Sequence, residues 1–222
     1  MTQTRRFSPE SGFTLVEMMV ALVVGTILMA LIVGSYWTQS TSSRDKQIIV
    51  GMQQNMRSAM FFMERDIRMA GYDPHFQDLA SETSITAAAA GSFSFRMEDD
   101  DGNLVDTTYS LADPDGDGIF DLEKQVDADP PLYVAKNIEA VEFCYTLADG
   151  GACTTAPTNA ELDDIRAVGI SLLARGSSIS SSAENNITYT TLSGAGWGPF
   201  NDGVRRQLVT TTIKCRNMFP NS

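Results

Sequence analysis

Histidine is almost absent from this sequence, which has a single one, His75, among 222 residues. Ser-His-Asp and Cys-His catalysis depend on an imidazole, and histidine-based zinc sites need several. The sequence therefore argues against these kinds of site. A glycine-rich phosphate loop and a Cys-x-x-Cys pair are also missing. His75 follows Asp-Pro in a predicted loop, where an exposed side chain is the simplest interpretation. We therefore expect no enzyme and no required cofactor.

Positive charge is scarce as well: 16 Lys and Arg face 28 Asp and Glu, which gives a net charge of −12. Such an excess of acid argues against general affinity for nucleic acid or anionic lipid. The sequence therefore predicts no nucleic-acid partner.

Charge is nearly missing from residues 13–37, where Glu17 is the single charged side chain. A helix of that length spans about 37 Å, enough to cross a hydrocarbon core of about 30 Å. Arg5 and Arg6 precede it, which predicts a cytoplasmic N-terminus. The run is too long for a signal peptide and lacks a good exit site. A plain membrane anchor gives no reason for Glu17, and an ionisable residue within a membrane indicates function.

The run Gly12-Phe13-Thr14-Leu15-Val16-Glu17 behind a short basic leader resembles the class III signal of type IV prepilins and type II secretion pseudopilins. The resemblance implies cleavage between Gly12 and Phe13 by a prepilin peptidase and methylation of the new Phe13 amine. Phe13 and Glu17 are four residues apart and share a helix face. In a staggered stack of helices, the amine of an incoming subunit would meet the Glu17 carboxylate of a neighbour.

The helix is predicted to continue beyond the membrane, because apolar residues recur at steps of three and four up to Ala70. Gly71 and Asp73-Pro74 are natural stop signals. The segment 52–72, which ends in Glu-Arg-Asp-Ile-Arg-Met-Ala-Gly-Tyr, resembles PilW-type minor pilins and, more loosely, J-type minor pseudopilins.

Beyond Tyr72 the apolar period changes to two, which predicts strands at 93–97, 104–111 and 138–147. Residues 166–174 read as a strand that is buried on both faces, and residues 207–215 as a final strand rich in Thr. Residues 175–203 are rich in Ser, Gly and Asn and read as a long mobile loop. A helix followed by strands indicates an α+β fold, with a long N-terminal hydrophobic helix packed on a C-terminal antiparallel β-sheet.

An acidic loop is the one candidate metal site. Asp113, Asp115, Asp117 and Asp121 occupy positions 1, 3, 5 and 9 of an EF-hand-like pattern, with Gly116 at position 6. Position 12, where a bidentate Glu belongs, is Lys124. The alternatives are a Ca²⁺ site and an acidic turn between strands.

Three cysteines, Cys144, Cys153 and Cys215, follow the membrane segment. In an oxidising compartment we expect one disulfide and one free thiol. The turn sequence between Cys144 and Cys153 favours that pair, and pairing of Cys144 with Cys215 stays open.

These patterns predict a leader peptide (1–12), a transmembrane part of the helix (13–37), its amphipathic continuation (38–71) and a periplasmic head domain (72–222). The resemblance implies a PilW-like minor type IV pilin, a structural subunit that takes part in pilus assembly or initiation near the filament tip. Its partners would be other pilin subunits, prepilin peptidase and the inner-membrane assembly platform. It would reside in the inner membrane with its head in the periplasm, and in the surface pilus after assembly. The alternatives are a minor pseudopilin of type II secretion and an anchored Ca²⁺-binding domain that never polymerises.

Overall fold

A single helix, α1, runs from Leu15 to Met69 in the computed structural model, which describes residues 12–74, 84–99, 101–179 and 184–218. The chain divides into two compact units, Met1–Lys46 and Gln47–Ser222. In the first unit the apolar side chains from Phe13 to Trp37 are exposed. An 18-residue window of this helix has a mean hydropathy of 2.6, so α1 is long and apolar enough to cross a membrane.

Seven strands of the second unit form one antiparallel sheet. The strands are β1 (Ile85–Ala88), β2 (Phe93–Glu98), β3 (Leu104–Ala112), β4 (Phe120–Val126), β5 (Leu132–Leu147), β6 (Ile165–Ile179) and, after a small separate sheet, β9 (Val204–Lys214). Their order in the sheet is β1-β2-β3-β4-β5-β6-β9. The separate sheet pairs β7 (Tyr189–Thr190) with β8 (Gly196–Trp197). A 3-10 helix, Asn159–Asp164, leads into β6.

The last turns of α1 pack on this sheet through the apolar stripe that the sequence predicts. Its buried members are Met52, Met56, Ala59, Met63, Ile67 and Ala70. Met63 and Ile67 are fully buried, and each such side chain contributes about 2 kcal/mol of hydrophobic stabilisation. The predicted α+β fold, with the helix against an antiparallel sheet, is confirmed.

The helix ends where the sequence predicts. Gly71 has a positive φ of 76°, a conformation that glycine adopts without strain. Its N–H donates to the Arg96 carbonyl on β2, 2.9 Å away. The same residue therefore stops the helix and ties its end to the sheet.

Residues 175–203 differ from the predicted loop. β6 continues to Ile179, and the segment 189–197 contains the β7–β8 pair. The buried Glu142 carboxylate holds this segment on the sheet, because it accepts hydrogen bonds from the hydroxyls of Thr191 (3.0 Å) and Ser193 (2.8 Å). The Ser171 hydroxyl accepts the Leu192 N–H at 2.9 Å. The polar side chains of residues 191–193 therefore anchor this segment to polar groups of the sheet.

Candidate functional site

Thr14 and Glu17 form a capping box at the start of α1. The Glu17 Oε2 accepts from the Thr14 N–H (3.2 Å) and from its hydroxyl (3.1 Å). In return the Glu17 N–H donates to the Thr14 hydroxyl at 3.3 Å. Two N–H groups that a helix start leaves without partners are satisfied in this way. The Thr-x-x-Glu spacing is the sequence signal for this cap, an interpretation of Glu17 that our sequence analysis missed.

The surroundings of Glu17 are apolar and uncovered. Phe13 is 85% exposed, and the Leu, Val, Ile and Met side chains that follow are exposed on all faces of the helix. In this setting lipid or neighbouring helices must cover the surface, and a carboxylate within such a surface needs a partner. Both bonds from Thr14 go to one carboxylate oxygen. A carboxylate has about four acceptor positions, so Glu17 can accept a cation while it keeps the cap.

The acidic loop brings together three of its four predicted ligands. Asp113, Asp115 and Asp117 each offer a carboxylate oxygen, and these atoms lie within 4.8 Å of one another. The Asp113 carboxylate also accepts the N–H groups of Gly116 (2.8 Å) and Gly118 (2.9 Å). These bonds explain the turn without a metal, so the grouping leaves the Ca²⁺ prediction open.

Asp121 lies outside this group, because residues from Phe120 onward form β4. Its carboxylate accepts the Asn137 N–H at 3.0 Å. Lys124, at the position of the missing EF-hand Glu, also lies on β4, and its ammonium contacts Asp66. The pattern is therefore an acidic turn of three carboxylates followed by a strand.

Cys144 and Cys153 are joined by a disulfide in the structure. The Tyr145 and Thr154 backbones exchange hydrogen bonds of 2.7 and 2.9 Å beside it, which closes the turn between the two cysteines. Cys215 is a free, buried thiol, and burial raises its pKa to about 12. His75 lies outside the described residues.

Asp66 is a buried carboxylate that the sequence analysis did not single out. It accepts from the Lys124 ammonium (2.6 Å), the Tyr109 hydroxyl (2.7 Å) and the Arg65 guanidinium (2.9 Å). Burial by itself raises the pKa of Asp66, but these hydrogen bonds and the Lys124 charge outweigh it and lower the pKa. The signal in the sequence is its position, three residues after Met63 and four before Ala70, on the apolar face of α1.

Two family models match the sequence. Residues 8–33 match the prokaryotic N-terminal methylation motif, and residues 125–217 match type IV pilus-assembly protein W. Among proteins of curated function, none matches this sequence.

Comparison with solved structures relates the fold to a type IV-like pilin from Thermus thermophilus. The TM-score is 0.50 at 16% identity, and the match covers 75% of this chain and 96% of the other. This likeness supports the fold, and the two partial sequence matches support the family. The prepilin motif, the match to the PilW model and the pilin-like fold together support a minor type IV pilin of the PilW type.

Proposed function

We propose that the chain is cleaved after Gly12 by a prepilin peptidase, methylated on the new Phe13 amine, and built into a pilus through Glu17. The observation that carries this proposal is the position of Glu17, the single charge among residues 13–37, on an exposed apolar helix. Cleavage creates an ammonium on Phe13, four residues before that carboxylate. Both groups then lie in an apolar setting where an unpaired charge is unfavourable.

The two groups are satisfied best between subunits. The geometry at Thr14 ties the Glu17 carboxylate to the start of its own helix by short local bonds. A neighbour offset along the filament can bring its Phe13 ammonium to the same carboxylate, which keeps the cap and adds a charge-assisted bond. Assembly is therefore favoured over the isolated subunit, and the pair also sets the axial offset between neighbours.

We further propose that this subunit is a minor component of the pilus and that it takes part in pilus assembly or initiation near the tip. The match of residues 125–217 to a pilus-assembly protein supports this role. Its partners are other pilin subunits, the prepilin peptidase and the inner-membrane assembly platform. Before assembly it is held in the inner membrane by α1, with the head in the periplasm. We propose a structural subunit rather than an enzyme.

Mass spectrometry of the N-terminal peptide from membranes tests the processing step. The expected peptide begins with N-methylated Phe13, and a strain without prepilin peptidase, as control, retains the leader. An intact Met1 start, or a cut beyond Ala30, contradicts the proposal and favours a plain membrane anchor. The two interpretations, a minor pilin and a minor pseudopilin, are distinguished by whether the mature protein is found in a pilus or in a secretion-system filament.

A further inference from the structure

Asn186 is the one asparagine of the sequence that is followed, two positions later, by a serine or a threonine. The run Asn186-Ile187-Thr188 has the N-x-S/T form that N-linked glycosylation requires, with no proline in the middle position. Short patterns of this kind arise by chance, so a second requirement is that the fold leaves the asparagine accessible to an enzyme.

The whole motif is accessible in the structure. Residues 184–188 lie outside the helices and strands, between β6 and β7. Asn186 and Thr188 are exposed, and the Ile187 side chain between them is 59% exposed. In the part of the chain that the structure describes, no hydrogen bond engages the Asn186 carboxamide. The two side chains that a glycosyltransferase reads are therefore both presented to solvent.

The neighbouring Asn185 explains why Asn186 is presented in this way. The Asn185 Nδ2 donates to the Val204 carbonyl (3.2 Å) and to the Tyr189 hydroxyl (3.1 Å), which fastens this residue to the fold. Its Oδ1 accepts the Ile187 N–H at 3.2 Å. That bond closes an Asx turn, and Asn186 is the central residue of the turn. Of two adjacent asparagines, Asn185 thus holds the segment in place and Asn186 is left for chemistry.

We propose that Asn186 is an N-glycosylation site, and that the donor is an oligosaccharide carried on a polyprenyl diphosphate in the membrane. The Asn186 Nδ2 attacks C1 of the first sugar. The bond from C1 to the diphosphate oxygen breaks, its electron pair leaves with the diphosphate, and one amide proton passes to a base of the transferase. The products are an N-glycosidic bond and the released polyprenyl diphosphate, so the step needs no oxidant or reductant.

The inference rests on the proposed function in one respect, because that function holds the head domain at the periplasmic face of the membrane, within reach of a membrane-bound donor. An attached glycan is bulky and hydrophilic. It would stand beside the exposed Ile187 side chain and keep other proteins from this part of the head.

Mass spectrometry of the full chain, purified in detergent from membranes of the organism that produces it, tests the site. Trypsin cleaves after Arg175 and Arg205 and leaves residues 176–205 as one peptide. We expect this peptide to carry the added mass of a series of sugars, and electron-transfer fragmentation should place that mass on Asn186.

Two variants of Thr188 form a matched pair. Thr188→Val keeps the shape of the side chain and removes the hydroxyl, so the modified fraction should fall at least about tenfold, whereas Thr188→Ser keeps the hydroxyl and should stay modified. Asn186→Gln should lose the sugar completely. All three side chains are at the surface, so each variant should retain the Cys144–Cys153 peptide of the folded head.

A wild-type Asn186 without sugar overturns the proposal. Sugar placed on a Ser or Thr of the same peptide also overturns it, as does undiminished modification of Thr188→Val. Failure of the proposed function is seen separately, because the chain would then lack the Phe13 N-terminus. An unmodified Asn186 in a chain that begins at Phe13 overturns the glycosylation alone.

Discussion

Asp66 and Lys124 form a buried ion pair that fastens α1 to the sheet, with 2.6 Å between the carboxylate and the ammonium. The Asp66 side chain is 2% exposed and the Lys124 side chain 13%. The Tyr109 hydroxyl on β3 donates to the same carboxylate at 2.7 Å. One residue of the helix is thus tied to two adjacent strands, which fixes the register of the helix on the sheet.

Asp66→Asn should lower the free energy of unfolding by about 3 kcal/mol, because it leaves the Lys124 charge buried without a counter-ion. Urea unfolding of the full chain in detergent, followed by tryptophan fluorescence, measures the loss. Arg65→Ala is the control, because that partner is largely exposed and its removal should change stability by less than about 1 kcal/mol. The double variant Asp66→Asn/Lys124→Met should regain part of the loss. A double variant no more stable than Asp66→Asn contradicts the pairing.

The same pair predicts a dependence of stability on pH. The pKa of Asp66 is lower in the folded chain than in the unfolded chain, where a typical value is about 3.9. Its contribution is therefore complete above that pH and is lost as the pH falls through the folded pKa. The stability difference between wild type and Asp66→Asn should shrink in acid below about pH 4. Other acidic pairs, such as Asp202 with Arg206, cancel in this difference. A difference that stays constant down to pH 2 contradicts the account.

The sequence predicted those parts of the fold that are governed by apolar periodicity. The stripe on α1 and the alternation in β2 and β3 both reflect one buried face, whereas β6 is a continuous apolar run because residues 167–174 are buried on both faces. β4 was missed because Lys124 occupies a position where alternation requires an apolar residue, and its partner Asp66 is 58 residues away in sequence. β1 was missed because its four residues, Ile-Thr-Ala-Ala, carry little pattern. Long-range polar pairs of this kind leave no periodic signal.

The sites divide in the same way. Gly12, Phe13 and Glu17 follow from a local motif, and the capping role of Thr14 also has a local signal, the Thr-x-x-Glu spacing, although the prepilin motif alone does not point to it. For Asp121, the EF-hand spacing predicted a loop where the structure has a strand. The Glu142 contacts that hold residues 191–193 join elements about 50 residues apart, which composition alone does not show.

Calcium binding by the acidic loop remains a prediction. We expect a Kd in the range of about 0.1–1 mM, because the group contains three carboxylates and lacks the bidentate Glu. Calorimetry of the full chain in detergent is the measurement, with Asp113→Asn/Asp115→Asn/Asp117→Asn as the control that abolishes the heat. Asp121→Asn should weaken Ca²⁺ binding if Asp121 is a ligand, as the sequence pattern predicts. It should leave binding unchanged if Asp121 lies outside the group of three carboxylates, as in the structure. If the wild type gives no heat at millimolar Ca²⁺, the loop is an acidic turn that binds no metal.

The cysteines should differ in their reactivity. Non-reducing peptide mapping should join Cys144 to Cys153, and loss of the disulfide in Cys144→Ser/Cys153→Ser should lower stability by about 2–3 kcal/mol. Cys215 should resist iodoacetamide at pH 8 until the chain is unfolded, because burial raises its pKa to about 12 and little thiolate is present. The matched control is Cys215→Ser, which removes labelling of the unfolded, non-reduced chain. A Cys144–Cys215 peptide, or rapid labelling of the folded chain, contradicts this assignment.

Incorporation of Glu17 variants into filaments tests the central claim most directly. Glu17→Ala removes the single charge of residues 13–37, so membrane insertion should persist, and Glu17→Gln keeps the size of the side chain without its charge. Thr14→Val is a further control, because it removes the hydroxyl of the cap and leaves the carboxylate for a neighbour. In a strain without the wild-type copy, sheared filaments and membranes are compared by immunoblot, with the Phe13 N-terminus verified by mass spectrometry. We predict that Glu17→Ala and Glu17→Gln are processed but are lost from filaments by at least about tenfold, as expected for a buried ammonium left without its partner, whereas Thr14→Val is incorporated. Incorporation of Glu17→Ala at the wild-type level would contradict the account.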